Sequence, residues 1–231
     1  MKRLKKKRNW KKILANILLL SLALSIVFAA IRLAQAPADG TGDARGRIKS
    51  DYMLMLVQCV AGLLVMLLPS MLERRWNVTL PNLIYVLYYL FLYCAIFLGE
   101  VMDFYYKVPH WDSILHFFSG GMLGALGFIL VGLLNDMEKV NVHLSPAFVA
   151  LFAFCFALAA GAVWEIYEFS LDGLLGLNMQ KFAEADGTLR VGRAALNDTM
   201  KDIILDASSA AIVSLLGFFA IKKQKAETAE K

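Results

Sequence analysis

The sequence predicts an all-α membrane protein, a polytopic helical bundle of about six transmembrane helices with both termini cytoplasmic. Three observations predict it. The 231 residues are 59% hydrophobic, with a mean hydropathy of +0.59, well above the roughly 45–50% apolar share of soluble domains. Six stretches approach the about 20 apolar residues that a span requires. Lysines and arginines crowd both ends of the chain, where they act as a topology signal. The length suits one membrane domain, residues 13–221, between a basic arm, 1–12, and a basic tail, 222–231.

The expected spans run from about Ile13 to Ala34, Tyr52 to Leu72, Leu80 to Met102, Asp112 to Leu134, Pro146 to Asp172 and Asp198 to Ile221. The first resembles a signal peptide, with a basic start and Ala34-Gln35-Ala36 near its end. Its apolar core exceeds the usual 7–15 residues, and Pro37 would follow the cut, so an uncleaved anchor is expected. With the N-terminus inside, the cytoplasmic segments hold Lys2, Arg3, Lys5, Lys6, Lys7, Arg8, Lys11, Lys12, Arg74, Arg75, Lys139 and the tail lysines. The outer segments hold Arg45, Arg47, Lys49, Lys107, Lys181, Arg190 and Arg193. The inside excess sets the orientation, and Trp76 and Trp111 flank span ends as interfacial aromatics do. A basic arm that abuts an apolar helix points to anionic lipid heads and not to nucleic acid. The expected location is the inner, cytoplasmic membrane, with membrane lipids as the expected partners.

Small residues mark the helices that pack closely. Gly120 and Gly124, with Gly121 and Gly127, lie on the fourth span, Ala157 and Gly161 on the fifth, Ala207 and Ala211 on the sixth. Such spacing allows close backbone approach where no hydrophobic drive acts between helices, so spans four to six are expected to form a tight core. Cys59, Cys94 and Cys155 sit in apolar segments without metal or redox spacing and read as packing residues. The long connection 173–197 carries the turn signal Asp186-Gly187 and reads equally as a lid or as a surface loop. His110 and His143 fall in loops. Asn197-Asp198-Thr199 matches a glycosylation sequon, but its place at a helix start argues against its use.

The ionisable groups beside the spans are grouped. Glu100 and Asp103 end the third, Asp112 and His116 open the fourth, Glu165, Glu168 and Asp172 end the fifth, and Asp198, Asp202 and Asp206 open the sixth. The predicted topology puts all of them at the outer side. Residues three or four apart share a helix face, so Asp112 pairs with His116 and Glu165 with Glu168. A charge inside a span costs about 2.5–3.5 kcal/mol on insertion scales and needs a partner or a purpose. One imidazole with several carboxylates from facing helices is a ligand set for a divalent metal. Asp112, His116, Glu165, Glu168, Asp198 and Asp202 are the candidate ligands, and Glu165, Glu168 and Asp202 the candidate catalytic carboxylates. Roughly three to five buried carboxylates cannot all ionise without a cation. Blander roles stand beside these: Asp112 and Asp198 as helix N-caps, Glu100, Asp103 and Asp172 as interfacial groups, Asp206 paired with a serine or a backbone group.

Three blocks carry a family resemblance: Trp111-Asp112-Ser113-Ile114-Leu115-His116-Phe117-Phe118-Ser119-Gly120, Trp164-Glu165-Ile166-Tyr167-Glu168-Phe169 and Asp198-Thr199-Met200-Lys201-Asp202. In order, they resemble the signature blocks of the YjdF-like family of uncharacterised multi-pass bacterial inner-membrane proteins. The resemblance covers roughly the last five spans and implies fold, membrane and choice of residues, without a reaction. Asp112, His116 and Phe117 alone are also similar to a short motif of VanZ-like membrane proteins. From the residues themselves, the leading expectation is metal-assisted hydrolysis or transfer on a lipid-linked or envelope phosphate, with activated water as attacker. The rivals are a proton- or cation-coupled transporter or channel using the same carboxylates, and a non-catalytic membrane scaffold.

Overall fold

The computed structural model describes residues 9–36, 42, 47–77, 79–135, 144–184 and 188–229. Residues 1–8 of the basic arm, Pro37, Arg45, Lys139, His143, the Asp186-Gly187 turn, Lys231 and the Trp76 side chain lie outside them. Six helices are long and apolar enough to cross a membrane: Trp10–Gln35, Lys49–Arg75, Asn82–Val101, Trp111–Leu133, Pro146–Leu175 and Arg193–Thr228. The chain divides into two compact units, Met1–Val108 and Pro109–Lys231.

In the first unit, α1 (Trp10–Gln35) is capped by Asn9, whose Oδ1 accepts from the Lys12 amide at 3.2 Å. Its buried face, Leu18, Leu22, Ser25 and Ala29, packs on α2 (Lys49–Val65), which buries Tyr52, Met55, Cys59 and Gly62. Both faces repeat at three- and four-residue steps, as a helix stripe must. The second span is not one helix. It breaks at Met66 and Leu67, and α3 (Leu68–Trp76) begins with Pro69 in its first turn. Proline has no N–H to offer the carbonyl four residues back. That carbonyl, Val65, instead accepts from the Tyr88 hydroxyl at 2.7 Å.

The third span changes type midway. α4 (Asn82–Leu92) runs into a π-helical segment, Tyr93–Val101, that ends in a left-handed Asp103 (φ 62°) before the short α5 (Phe104–Lys107). Arg47 closes this end. It donates to the Glu100 carbonyl at 2.8 Å and pairs with Asp103. Partial burial pushes the Asp103 carboxyl upward, but Arg47 and Lys107 outweigh it and hold the group below its ordinary range. Asp103, expected to be merely interfacial, therefore anchors a charge pair.

The second unit is a three-helix bundle of α6 (Trp111–Asn135), α7 (Pro146–Leu175) and α8 (Arg193–Ala229), each packed on the other two. The expected tight core is present. A Cβ built on Gly127 would stand 2.7 Å from the Ala153 Cα, and one on Gly120 would stand 2.6 Å from the Asp206 carbonyl oxygen. On α8 the expected pair is displaced. Ala207 and Ala211 are half-buried, while Asp206, Ser209 and Ala210 are buried. The contact face lies one residue, about 100° of helix, to the side, because Asp206 and Ala210 are what Gly120 and Gly124 meet.

The buried stripe of α7 sets up the site. It reads Val149, Ala153, Ala157, Gly161, Glu165, Glu168 and Asp172. One face of one helix is small and apolar for its first four members and acidic for its last three.

Candidate functional site

Each helix of the bundle brings a titratable pair or triplet to this level. Asp112 and His116 lie one turn apart on α6, and Asp198, Asp202 and Asp206 lie at four-residue steps on α8. His116 Nδ1 and Asp206 Oδ2 are 3.2 Å apart, with side chains only 7% and 2% exposed. The other Asp206 oxygen accepts from Ser119 Oγ at 3.2 Å. Asp206 was expected to pair with a serine or a backbone group, and Ser119 is the serine. The histidine is the partner that sequence reasoning missed. Gly161 makes room for this pair, because any Cβ there would collide with Asp206 Oδ2.

With Nδ1 held by a carboxylate, the Nε2 lone pair of a neutral His116 faces the other way. It stands 3.8 Å from Asp112 Oδ1 and 3.9 Å from Asp202 Oδ2. These separations are too long for hydrogen bonds. They suit donors that share one centre, since atoms about 2.0–2.2 Å from a metal lie roughly 3–4.4 Å from one another. One ligand atom from each of Asp112, His116 and Asp202 lies within 4.8 Å of the other two. Were His116 to hold a metal, Asp206 would be the carboxylate that orients it.

The second Asp112 oxygen belongs to Lys181, which also approaches both oxygens of Asp198 at 3.4 Å. Burial works against the Lys181 charge, but Asp112, Asp198 and Asp202 raise its pKa above the ordinary value, so the ammonium stays charged. The connection that delivers it spans 176–192, shorter than expected because α7 continues to Leu175 and α8 starts at Arg193. Its described residues form a built structure. Asp172, expected to be interfacial, is buried and accepts from the amides of Met179 and Gln180 at 2.7 and 3.0 Å. Asn178 and Ala183 exchange two hydrogen bonds at 2.8 and 3.0 Å. Lys181 itself takes a left-handed backbone (φ 47°), a conformation a lysine seldom adopts.

Not every expected role survives. Asp198 does not cap a helix, because α8 begins five residues before it, at Arg193. Asn197 is likewise inside the helix. Asp112 lies within the first turn of α6 and is committed to Lys181. Glu165, Glu168 and Asp198 are placed beside the group of three donors. Glu168 Oε1 accepts from Trp164 Nε1 at 2.9 Å. Glu165 Oε2 and its carbonyl lie 3.4 Å from Gln180 Nε2, which donates to Thr199 at 2.9 Å. Glu165 Oε1 is buried without a hydrogen-bond partner among the described residues. Lys181 and Gln180 were not foreseen. Their sequence neighbourhood is an ordinary polar loop, and their contacts reach back 69 residues to Asp112 and forward 19 to Thr199.

Known proteins place the chain without assigning it a reaction. It is similar to an uncharacterized protein of Thermotoga maritima, at 29% identity over 127 residues, 54% of this chain and 53% of that one. The match thus spans about half the length of the relative. No solved structure matches the chain. A family model matches residues 14–223, all but the ends, in agreement with the expectation of an uncharacterised multi-pass membrane family. The chain belongs to the family described as "Predicted membrane protein (DUF2238)".

Proposed function

We propose that the protein is a membrane enzyme that binds one divalent metal through Asp112, His116 and Asp202 and uses it to hydrolyse or transfer a phosphate group. The single observation that supports this most is the pairing of His116 Nδ1 with Asp206, which leaves Nε2 and two aspartate oxygens within 4.8 Å of one another. A mixed imidazole–carboxylate set admits several divalent ions. A bound ion would polarise a phosphoryl oxygen and lower the pKa of water. Glu165, with one buried oxygen free among the described residues, is the residue assigned to take the proton of the attacking water. Glu168, held by Trp164, orients this wall, and Asp198 positions Lys181. The site works at the outer face of the cytoplasmic membrane, on a lipid-linked or envelope phosphate.

A structural network is the second reading, and one observation favours it: Lys181 already offsets charge on Asp112 and Asp198. A proton or cation path gains less support, since the α7 stripe below Gly161 is Ala157, Ala153 and Val149, with no titratable group. Elemental analysis and Mn²⁺ titration of the purified protein decide. About one metal per chain, lost in His116→Ala and accompanied by lost phosphatase activity, is the expected result. A folded protein that carries and binds no divalent metal would sink the proposal.

A further inference from the structure

The polar side chains of the site form a graded series from the surface inward. Side-chain exposure falls from Lys181 (26%) through Asp112 (21%) and Asp198 (15%) to His116 (7%), Asp202 (3%) and Asp206 (2%). Anything polar that reaches His116 by this route meets the Lys181 ion pairs first. Among the described residues, Lys181 is the one lysine or arginine with an ion pair to a site carboxylate. Its backbone is pinned on both sides by Asp172 and by the Asn178–Ala183 exchange. Its side chain is a flexible four-carbon stem with a compact charge, so the head group can move while the loop stays.

We propose that Lys181 is a phosphate-responsive latch: a phosphate group draws its ammonium away from Asp112 and Asp198, and thereby strengthens divalent-metal binding at Asp112, His116 and Asp202. This rests on the metal-site reading above and adds a regulation to it. With the latch closed, Asp112 offers Oδ1 to the metal position while Oδ2 is neutralised by the ammonium. A positive charge bonded to a ligand weakens that ligand for a cation. With the latch open, Asp112 and Asp198 regain their full charge toward the metal, and the ammonium still has a partner in the incoming anion. By linkage the effect is reciprocal, so the metal strengthens phosphate binding by the same factor. Coupling of this kind is typically about 5–150-fold.

The test is a calorimetric Mn²⁺ titration, with free Mn²⁺ corrected for complexation. One arm uses the detergent-purified chain with and without inorganic phosphate. The other uses nanodiscs of phosphatidylcholine with and without phosphatidic acid. About tenfold tighter Mn²⁺ binding is expected in one arm. Enhancement with inorganic phosphate alone identifies a free phosphate, and enhancement with phosphatidic acid alone a lipid phosphate. Lys181→Gln should bind Mn²⁺ tightly without either anion and show no enhancement, whereas Lys181→Arg should retain it. Equal Mn²⁺ affinity in every wild-type arm overturns the latch by itself, whether or not the variants fold. Enhancement that persists in Lys181→Gln also overturns it. A wild-type protein that binds no Mn²⁺ overturns the metal site as well, which separates the two failures.

Discussion

Asp206→Asn is the sharpest single perturbation of the proposed centre. Asparagine matches aspartate in size, so the close fit against Gly161 is kept, and its amide oxygen can still accept from His116 Nδ1. What changes is the charge behind the bond. Hydrogen bonds to charged groups contribute about 1.5–3 kcal/mol and neutral ones about 0.5–1.5, so the histidine loses about 1–1.5 kcal/mol of orientation. That converts to about five- to twelvefold in metal affinity, at 1.4 kcal/mol per decade. Its upper end meets the about 10–100-fold lost when partners of metal-binding histidines are mutated. The lost negative charge acts in the same direction, so about fivefold, the lower end of the converted range, is the floor. The assay is Mn²⁺ titration of wild type, Asp206→Asn and Asp202→Asn, with thermal unfolding in the same detergent to show that each is folded. If folded Asp206→Asn binds Mn²⁺ within about twofold of wild type, a small part of one decade, then Asp206 does not orient a metal-bound His116.

Gly161→Ala would place a methyl group on the Asp206 carboxylate. Overpacking of this kind costs about 1–3 kcal/mol and should also weaken Mn²⁺ binding through Asp206; unchanged melting and affinity would contradict the packing described. Asp103→Asn should cost about 1–3 kcal/mol at neutral pH, read by denaturant unfolding in detergent micelles. Because the folded-state pKa of Asp103 lies below the ordinary value, its contribution is complete above about pH 4, the unfolded value, and disappears as pH falls through the folded value. The two proteins should therefore converge in acid, and a constant gap down to the lowest pH would assign the effect to something other than the Arg47 pair.

The spans were legible because membrane helices must satisfy their own backbone and present an apolar surface, which leaves a long unbroken signal such as Phe148–Val163. The break at Pro69 was legible in principle, since proline orphans the carbonyl of Val65. That Tyr88 would rescue it was not, because the two residues are 23 apart and meet only through packing. The π-helical turn of the third span left no periodicity to read. In the site, Asp112, His116 and Asp202 could be found because helix geometry alone puts four-residue steps on one face. Lys181 could not, since its place follows from Asp172 catching two loop amides after the helices have packed. The sequence supplied the carboxylates and left their counter-charge unexplained, and the loop resolves part of that question.

How much it resolves bears on whether the cluster is structural or chemical. A purely structural network is stable when every buried donor and acceptor is matched, since each unmatched group costs about 1–3 kcal/mol, more when charged. Most of this cluster meets that standard: Asp206 has His116 and Ser119, Asp172 has two amides, Glu168 has Trp164, and Asp112 has Lys181. Glu165 does not, with its Oε1 buried and unmatched among the described residues. Ser113 Oγ, beside Asp112 on α6, is buried and unmatched in the same way, while His116 Nε2 stands 3.8 and 3.9 Å from the carboxylates of Asp112 and Asp202, at ion-pair and not hydrogen-bond distance. Glu165 and Ser113 lie on α7 and α6, nearer the loop than the level where Gly120 and Gly161 clamp Asp206. Packing that tight below fixes the imidazole, and the loop above it places the Lys181 ammonium against Asp112 and Asp198. A purely structural network gives no reason for the unmatched carboxylate oxygen of Glu165, and the proposed metal site does, since it assigns that group the proton of the attacking water.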